Sequence, residues 1–200
     1  MDLVYRTIVL DPPWRYTQVP TVRSGSGVSA EHQYPTMTTE EIAALPVADR
    51  AADRAHLYLW VTNPVLLGAR PSIRGHIEPL EIVRAWGFEP KALLTWHKLG
   101  ILGLGFYFRG DTEHVIFATR GELGIAAADR VSNHFAAARG RHSEKPDRFY
   151  EIVERVSPGP YLELFARRRR VGWDVWGNEA PEFGSTQVPM FDEGLFVDAR

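Results

Sequence analysis

The chain has 200 residues, of which 44% are hydrophobic and 24% are charged, and its formal net charge at pH 7 is −2. This composition is typical of one globular domain with a full-sized core, and it excludes a disordered or fibrous chain. There is no cysteine, which excludes disulfides and thiolate zinc sites.

No run of eighteen apolar residues is present, so a membrane span is not expected. The first residues lack the basic start and apolar stretch of a secretory signal, which makes a cytoplasmic location the default expectation. The slightly negative charge also bears on function, because proteins that hold long duplexes usually carry a strong basic excess. The one dense basic run is four arginines at residues 167–170. Composition alone therefore does not indicate tight nucleic-acid binding.

The first predicted element is a short buried strand over Tyr5–Leu10, where β-forming residues dominate. Asp11, Pro12 and Pro13 must end this strand, because proline cannot donate a backbone hydrogen bond to a sheet. Glycines and small polar residues predict a loop over residues 17–29. A chemically distinctive tetrapeptide, Asp11-Pro12-Pro13-Trp14, therefore follows the first strand directly.

Helix and strand patterns alternate along the rest of the chain. Thr38 and Glu41 have the spacing of a capping box, which predicts a short helix that ends before Pro46. Further helices are predicted over residues 79–86 and from Pro146, a favoured first helical residue. Strands are predicted over residues 55–62, 91–96, 113–118, 161–165 and 172–176, with a glycine-containing loop over residues 99–111.

This alternation predicts an α/β fold with a mainly parallel sheet and helices on both faces. No internal repeat or linker divides the pattern. We expect a single domain over residues 1–180, followed by a partly mobile tail over residues 181–200, where acidic residues, proline and glycine mix.

The tetrapeptide lies where open α/β sheets bind their ligands, at the carboxyl end of a strand. Asp11 can offer a carboxylate and Pro12 a carbonyl as hydrogen-bond acceptors, and Trp14 can offer a flat face for stacking. Two acceptors beside an aromatic face suit an exocyclic amine on a planar heterocycle. Hydrogen bonds from that amine would make its nitrogen more tetrahedral and turn its lone pair toward an activated methyl group. Taken alone, however, the tetrapeptide is more simply explained as a rigid turn with a capping aspartate.

Two other kinds of site find no support in the sequence. The seven histidines contain no His-x-x-x-His pair, so no metal site is expected. Gly103 and Gly105 are not followed by a Lys-Ser or Lys-Thr pair, so a phosphate-binding loop is not expected either. His32 and Tyr34 follow the loop over residues 17–29 and are candidates for the substrate side, although Tyr34 is as well explained by packing under that loop.

A series of short motifs occurs along the chain in the order that is typical of one protein family. They are Asp11-Pro12-Pro13-Trp14, His32-Gln33-Tyr34-Pro35-Thr36-Met37, Leu59-Trp60-Val61-Thr62-Asn63, Ala85-Trp86-Gly87-Phe88, Trp96-His97-Lys98, a glycine loop ending in Arg109 and Glu113, His142-Ser143-Glu144-Lys145-Pro146, Glu163-Leu164-Phe165-Ala166-Arg167 and Gly177-Asn178-Glu179. From about residue 9 to residue 179, the chain resembles the adenine-N6 methyltransferase family typified by the catalytic subunit of the eukaryotic messenger-RNA enzyme. Each motif is weak alone, but the ordered series is specific.

The resemblance implies a methyltransferase that uses S-adenosylmethionine. It also implies a Rossmann-like, circularly permuted fold, in which the catalytic motif precedes the segment that forms most of the cofactor site. The implied catalytic residues are Asp11, Pro12 and Trp14. Asp11 would contact both the substrate amine and the methyl-donor end of the cofactor.

The remaining implied contacts divide between cofactor and substrate. Lys145 would pair with the methionine carboxylate, Arg167 would approach the ribose, and Asn178 and Glu179 would hydrogen-bond the ribose or the adenine. The candidate substrate contacts are Trp14, His32, Tyr34 and Lys98. Residues 166–170 depart from many methyltransferase cofactor loops because they contain no glycine.

Three functions are compatible with these residues. The first is methylation of adenine N6 in DNA or RNA. The second is methylation of a small heteroaromatic molecule, such as an indole or a nucleoside, at nitrogen or carbon. The third, a catalytically silent partner subunit, ranks last because Asp11, Lys145 and Asn178 are all present. A homodimer is left open.

A nucleic-acid substrate would need phosphate contacts despite the net charge of −2. The expected contacts are arginines, namely Arg23, Arg139, Arg141, Arg168, Arg169 and Arg170. With a small substrate, the loop over residues 17–29 would instead close over the ring.

Overall fold

The computed structural model describes residues 3–15, 36–68, 77–100, 102–103, 107–140 and 144–177. Its strands are β1 (Tyr5–Leu10), β2 (Ala51–Val61), β3 (Glu89–Leu99), β4 (Thr112–Arg120), β5 (His134–Ala138), β6 (Tyr161–Leu164) and β7 (Trp173–Trp176). Its helices are α1 (Thr39–Ala43), α2 (Val47–Arg50), α3 (Asn63–Leu66), α4 (Pro79–Ala85) and α5 (Asp147–Val156), with a 3-10 turn over Ala127–Asp129.

The seven strands form one sheet in the order β5-β3-β4-β2-β1-β6-β7. Every neighbouring pair is parallel except the two that contain β4, which runs antiparallel between β2 and β3. The predicted, mainly parallel α/β sheet is therefore confirmed. The direction of β4 was not predicted, and it places the first residues of β4 beside the last residues of its neighbours.

Helices cover both faces of the sheet, as predicted. On one face, Ile42 of α1, Val47 of α2 and Ile82 of α4 pack into a core with the side chains of Ile8 and Leu10 from β1. On the other face, Phe149, Ile152 and Val153 of α5 pack with Val9, Tyr58 and Trp60. Side chains alternate between the faces of a strand, so Asp11 continues the side of Val9 that α5 covers.

Most predicted elements are present, with small changes at their ends. Thr38 forms the predicted capping box with Glu41 at the start of α1. Pro146 is wrong as a first helical residue, since its backbone is extended and α5 begins at Asp147. The short elements β5, α2 and α3 were not predicted, because segments of four or five residues carry little periodicity.

The chain changes direction across the sheet at the boundary between β1 and β6. From β1 it continues to β2 on one side, and from β6 it continues to β7 on the other side. Open α/β sheets bind ligands in the crevice at such a switch point, at the carboxyl ends of the strands. Asp11 directly follows β1 and Phe165 directly follows β6, so both lie at this crevice.

The strand that carries the tetrapeptide comes first in the chain, whereas its neighbour β6 comes late. This order is compatible with the circular permutation, which stays a prediction, as do the domain limits. The loop over residues 17–29 and the tail over residues 181–200 lie outside the described residues. In the part of the chain that the structure describes, no helix is long and apolar enough to cross a membrane.

Candidate active site

An ion pair occupies the carboxyl end of β1. Oδ2 of Asp11 lies 2.9 Å from Nζ of Lys145, and the two side chains are 20% and 10% exposed. Lys145 is separated from the start of α5 by one residue. The same ammonium lies over the Trp60 ring, 4.7 Å from its centroid. The first strand and the start of the last helix thus bring together two of the predicted site residues.

A second carboxylate completes the surroundings of Lys145. Glu113, the second residue of β4, places Oε2 3.1 Å from Nζ of Lys145. Its Oε1 lies 2.6 Å from Nζ of Lys98, near the end of β3. Asp11, Lys145, Glu113 and Lys98 therefore form a line of alternating charges, here called the charge cluster. Its two carboxylates and two ammonium groups balance each other, which offsets part of the cost of taking them out of water.

The pKa shifts in the charge cluster follow from burial and from these neighbours. Burial raises the pKa of Asp11, and the ammonium of Lys145 opposes that rise. Burial alone would lower the pKa of Lys145, but Asp11 and Glu113 together raise it. Burial alone would raise the pKa of Glu113, but Lys145 and Lys98 bring it below its ordinary value. Lys145 and Glu113 are therefore firmly charged at neutral pH, while Asp11 is a better proton acceptor than an exposed aspartate.

A second buried carboxyl lies on β6, beside β1. Glu163 is 5% exposed and accepts a hydrogen bond from the Tyr150 hydroxyl at 2.6 Å. Burial raises the pKa of Glu163 to about 7, although the Tyr150 hydrogen bond lowers it, and the charge of Asp11 adds to the rise. This carboxyl therefore titrates near neutral pH, and its pKa depends in part on the charge of Asp11.

Arg168 and Arg170 tie the connection after β6 to the start of α5. Both guanidinium groups donate hydrogen bonds to Oδ1 of Asp147, and Arg168 also pairs with Glu144 at 3.3 Å. The Arg170 guanidinium lies 4.0 Å from the centroid of the Tyr150 ring. These two arginines have carboxylate partners within the chain, which weakens their predicted role as phosphate contacts. Arg139 is exposed after β5, and Arg23 and Arg141 lie outside the described residues.

Trp14 differs from the open stacking face that the sequence analysis expected. Its side chain is 5% exposed in the core, and its indole N–H donates to the Trp60 carbonyl at 3.0 Å. The physical reason is the turn, in which the Trp14 amide donates to the Pro12 carbonyl at 2.9 Å and directs the ring inward. Trp14 therefore anchors the tetrapeptide to β2 and does not present a face to a ligand.

The other predicted site residues fall into two groups. Arg167 follows β6, and its charge acts on Asp11, while Lys98 belongs to the charge cluster through Glu113. His32, Tyr34, Asn178 and Glu179 lie outside the described residues. Pro12 retains one carbonyl lone pair beyond the hydrogen bond with Trp14, because a carbonyl oxygen can accept two hydrogen bonds.

Sequence reasoning gave no role to Glu113 or to Glu163. A signal for Glu163 exists, since an acidic residue in the middle of a buried strand needs a specific partner. Glu113 gave a weaker signal, because it opens its strand and would lie at the far edge of an all-parallel sheet. The antiparallel direction of β4 brings it to Lys145.

The fold is that of an α/β protein with a topological switch point, where a buried acid and a buried cation lie together. Comparison with known proteins gives the family. The MT-A70 family model matches residues 5–179, and the chain therefore belongs to the MT-A70 family. The family expected from the ordered motifs is confirmed, and the chain is a methyltransferase.

Three relatives illustrate the range of the similarity. The Type II methyltransferase M.MunI of Mycoplasma sp is 30% identical over 94% of this chain and 83% of its own length. The N(6)-adenine-specific methyltransferase METTL4 of Homo sapiens is 29% identical, with 90% of this chain and 38% of its own length covered. The N6-methyladenosine RNA methyltransferase MTA1 of Cryphonectria parasitica is 28% identical, with 90% and 53% covered. The chain thus spans most of M.MunI but about half or less of the other two.

Proposed function

We propose that this protein transfers a methyl group from S-adenosylmethionine to the exocyclic N6 amine of adenine in a nucleic acid. The observation that carries the proposal is the buried Asp11–Lys145 pair at the crevice between β1 and β6. The substrate is supported by the relatives whose names specify adenine or N6-methyladenosine.

The groups at the crevice fit the cofactor chemically. S-adenosylmethionine carries a carboxylate that suits the buried cation Lys145, and positive charge on sulfur that suits the neighbouring carboxylate Asp11. A Cβ added to Gly177 would lie 2.7 Å from the backbone N and O of Ala166, so the chain after β7 presses onto the turn after β6. This close approach walls the crevice on the β7 side, where a compact ligand needs a boundary.

We assign the cofactor contacts accordingly. Lys145 would hold the methionine carboxylate, Asp11 would face the methyl-donor end, and Arg167 would contact the ribose. Asn178 and Glu179, which follow Gly177 directly, are proposed to hydrogen-bond the ribose or the adenine. When bound, the cofactor supplies a methyl group on an electron-poor sulfur, and no metal or covalent enzyme intermediate is needed.

Asp11 and Pro12 act on the substrate amine. The Asp11 carboxylate and the free lone pair of the Pro12 carbonyl accept its two N–H groups, which withdraws the nitrogen lone pair from the ring and directs it toward the methyl carbon. As the nitrogen–carbon bond forms and the carbon–sulfur bond breaks, one amine proton must leave. Asp11 accepts that proton, because burial raises its pKa.

The test is methylation from isotope-labelled S-adenosylmethionine, with single-stranded DNA, single-stranded RNA, duplex DNA, free nucleosides and indoles offered in parallel. Digestion and mass spectrometry should find N6-methyladenine in at least one polymer. Asp11→Asn serves as the inactive control. Methylation of a nucleoside or an indole, with none on any polymer, would contradict the proposal and favour a small-molecule enzyme.

A further inference from the structure

Two aromatic rings are exposed on the connection between β3 and β4. Tyr107 is 95% exposed and Phe108 is 89% exposed. Among the described residues, they are the only phenylalanine, tyrosine or tryptophan side chains that are exposed, and the other exposed large hydrophobic residues are aliphatic. Two highly exposed aromatic side chains at consecutive positions are unfavourable in water unless they serve a contact.

The connection is held in place beyond the two strands. The Lys98 amide donates to the Asp111 carbonyl at 2.7 Å, and the Gly103 amide donates to the Gly110 carbonyl at 2.9 Å. Nε of Arg109 donates to the Gly103 carbonyl at 2.6 Å. Because β3 ends and antiparallel β4 begins at the same edge, the two rings lie at the edge that carries Asp11.

Two exposed arginines lie at the same edge of the sheet as these rings. Arg109 is exposed beside Phe108, and Arg139 is exposed at the end of β5, the next strand outward. The rings of His97 and His134 stack on the same two strands with centroids 6.3 Å apart. The nearby carboxylates have partners, since Asp111 lies 3.5 Å from His97 and Glu113 lies between Lys98 and Lys145. Exposed cations interleaved with aromatic rings are typical of surfaces that bind unpaired nucleic acid.

A second copy of the chain is a poorer match for this surface. Two aromatic side chains bury roughly 150–250 Å² each, whereas a stable protein interface needs about 800 Å² from each partner. The face of a nucleobase needs no more area than one ring provides. Stacking also tolerates any sequence, which suits bases that flank a target.

Building on the methylation of nucleic acid proposed above, we propose that Tyr107 and Phe108 form a stacking platform for unpaired bases next to the target adenine. The strand then crosses the β3–β5 side of the edge, with its phosphates near Arg109 and Arg139. The proposed cofactor site lies at the crevice between β1 and β6, with Lys145 against Trp60 of β2. The platform is a binding surface and takes no part in the chemical step.

The test measures binding of a short fluorescent single strand with one central adenine, as DNA and as RNA, by fluorescence anisotropy. Tyr107→Ala and Phe108→Ala should each weaken binding by roughly fivefold to a hundredfold. Tyr107→Trp and Phe108→Trp should keep it, whereas Tyr107→Leu and Phe108→Leu should lose most of it. Val171→Ala, which truncates a side chain that is 100% exposed elsewhere, is the matched control and should change nothing.

A second measurement distinguishes base stacking from non-specific hydrophobic binding. Strands with an abasic site on either side of the adenine should bind the wild type more weakly but should bind the alanine variants with little further loss. Affinity for S-adenosylhomocysteine should stay unchanged in every variant, which shows that the cofactor site and the fold are intact.

The outcomes separate this inference from the proposed function. If the wild type methylates a strand but the alanine variants bind that strand equally well, the platform is wrong and the methylation stands. Leucine variants that bind like the wild type, or alanine variants that convert a dimer to a monomer, also overturn the platform. If the wild type neither binds nor methylates any strand, the proposed substrate is wrong as well.

Discussion

The two sides of Asp11 at the carboxyl edge of the sheet are built differently. Toward α5 and β6, charged and polar groups are mostly buried and bonded to one another, as with Lys145 and Asp11 or Glu163 and Tyr150. Toward β3 and β5, the side chains at the tip are exposed, including Tyr107, Phe108 and Arg139. One side, here called the pocket side, is a preorganised and mostly buried set of bonded groups, and the other, here called the open side, is an exposed surface.

This difference indicates what each side binds. A small ligand of fixed shape gains from groups that already hold their positions, because no ordering cost falls on binding. A polymer whose sequence and conformation vary gains from stacking faces and mobile cations, which accept many geometries. Asp11 lies between the two sides, where a methyl group would pass from one to the other.

Asp11→Asn should have the largest effect on turnover, because Asp11 lies at the boundary between the two sides. The amide keeps the shape but loses the charge and most of the capacity to take a proton. We expect turnover to fall roughly 100-fold to 10,000-fold, with a much smaller change in cofactor affinity. Steady-state kinetics and calorimetry with S-adenosylhomocysteine measure the two effects. Asp53→Asn, an exposed position at the opposite end of β2, is the control; near-normal turnover in Asp11→Asn would remove Asp11 from the chemistry.

Lys145→Met should act on the pocket side. Methionine keeps the contact with Trp60 but leaves Asp11 and Glu113 without their shared cation. Affinity for S-adenosylhomocysteine should fall roughly tenfold to a hundredfold. The pKa of Asp11 should rise further, so the acidic limb of the pH–rate profile should move to higher pH. Lys91→Met, at an exposed lysine near the start of β3, is the control. A folded Lys145→Met protein with unchanged affinity would return Lys145 to a structural role.

Glu163→Gln should reveal the buried carboxyl through the pH dependence of stability. The ordinary pKa is 4.5 and the folded value is about 7, so between these values the folded state holds a proton that the unfolded state releases. Wild-type stability from this group is therefore complete below about pH 4.5 and is lost as pH rises through 7. The glutamine side chain stays neutral at every pH. The free energy of unfolding of Glu163→Gln, relative to that of wild type, should therefore grow by up to about 3 kcal/mol as pH rises across that window.

Urea unfolding of both proteins at several pH values measures this trend. Glu151→Gln, at an exposed glutamate of α5, should show no such trend. Parallel stability curves for Glu163→Gln and wild type would mean that the pKa of Glu163 is the same in the folded and unfolded protein.

The pocket side was easier to predict from the sequence than the open side. Asp11 and Lys145 each adjoin an element with a clear signal, namely a strand stopped by two prolines and a helix with apolar residues at three- and four-residue spacing. The direction of β4 and the presence of β5 were not predictable in the same way. A strand of five residues has little periodicity, and nothing local in a sequence specifies whether a strand runs parallel or antiparallel to its neighbour.

Two site residues show that the surroundings of a side chain cannot always be predicted from the sequence. Trp14 was expected to offer a stacking face because it follows the carboxyl end of a strand, but the turn at Pro12 directs its ring into the core. Glu113 looked peripheral because it opens a strand, but antiparallel pairing places it against Lys145. The first difference combines a local turn with packing of the ring against β2, and the second comes from long-range strand pairing, which no short motif contains.

Arg139→Ala should have the smallest effect and bears on the open side. Arg139 is exposed at the carboxyl end of β5, whereas Arg168 and Arg170 are engaged with Asp147. If a strand crosses this side, removing one phosphate contact should weaken binding several-fold at low salt. It should also reduce the slope of log affinity against log salt by about 0.7, the value for one contact on a single strand.

Arg84→Ala, at an exposed arginine of α4, has the same change in net charge and should leave the slope unaltered. Anisotropy titrations over a range of salt concentrations give both slopes. Equal slopes for Arg139→Ala and wild type would mean that the strand does not contact Arg139. Equal losses of affinity in Arg139→Ala and Arg84→Ala would mean that only the net charge of the protein matters.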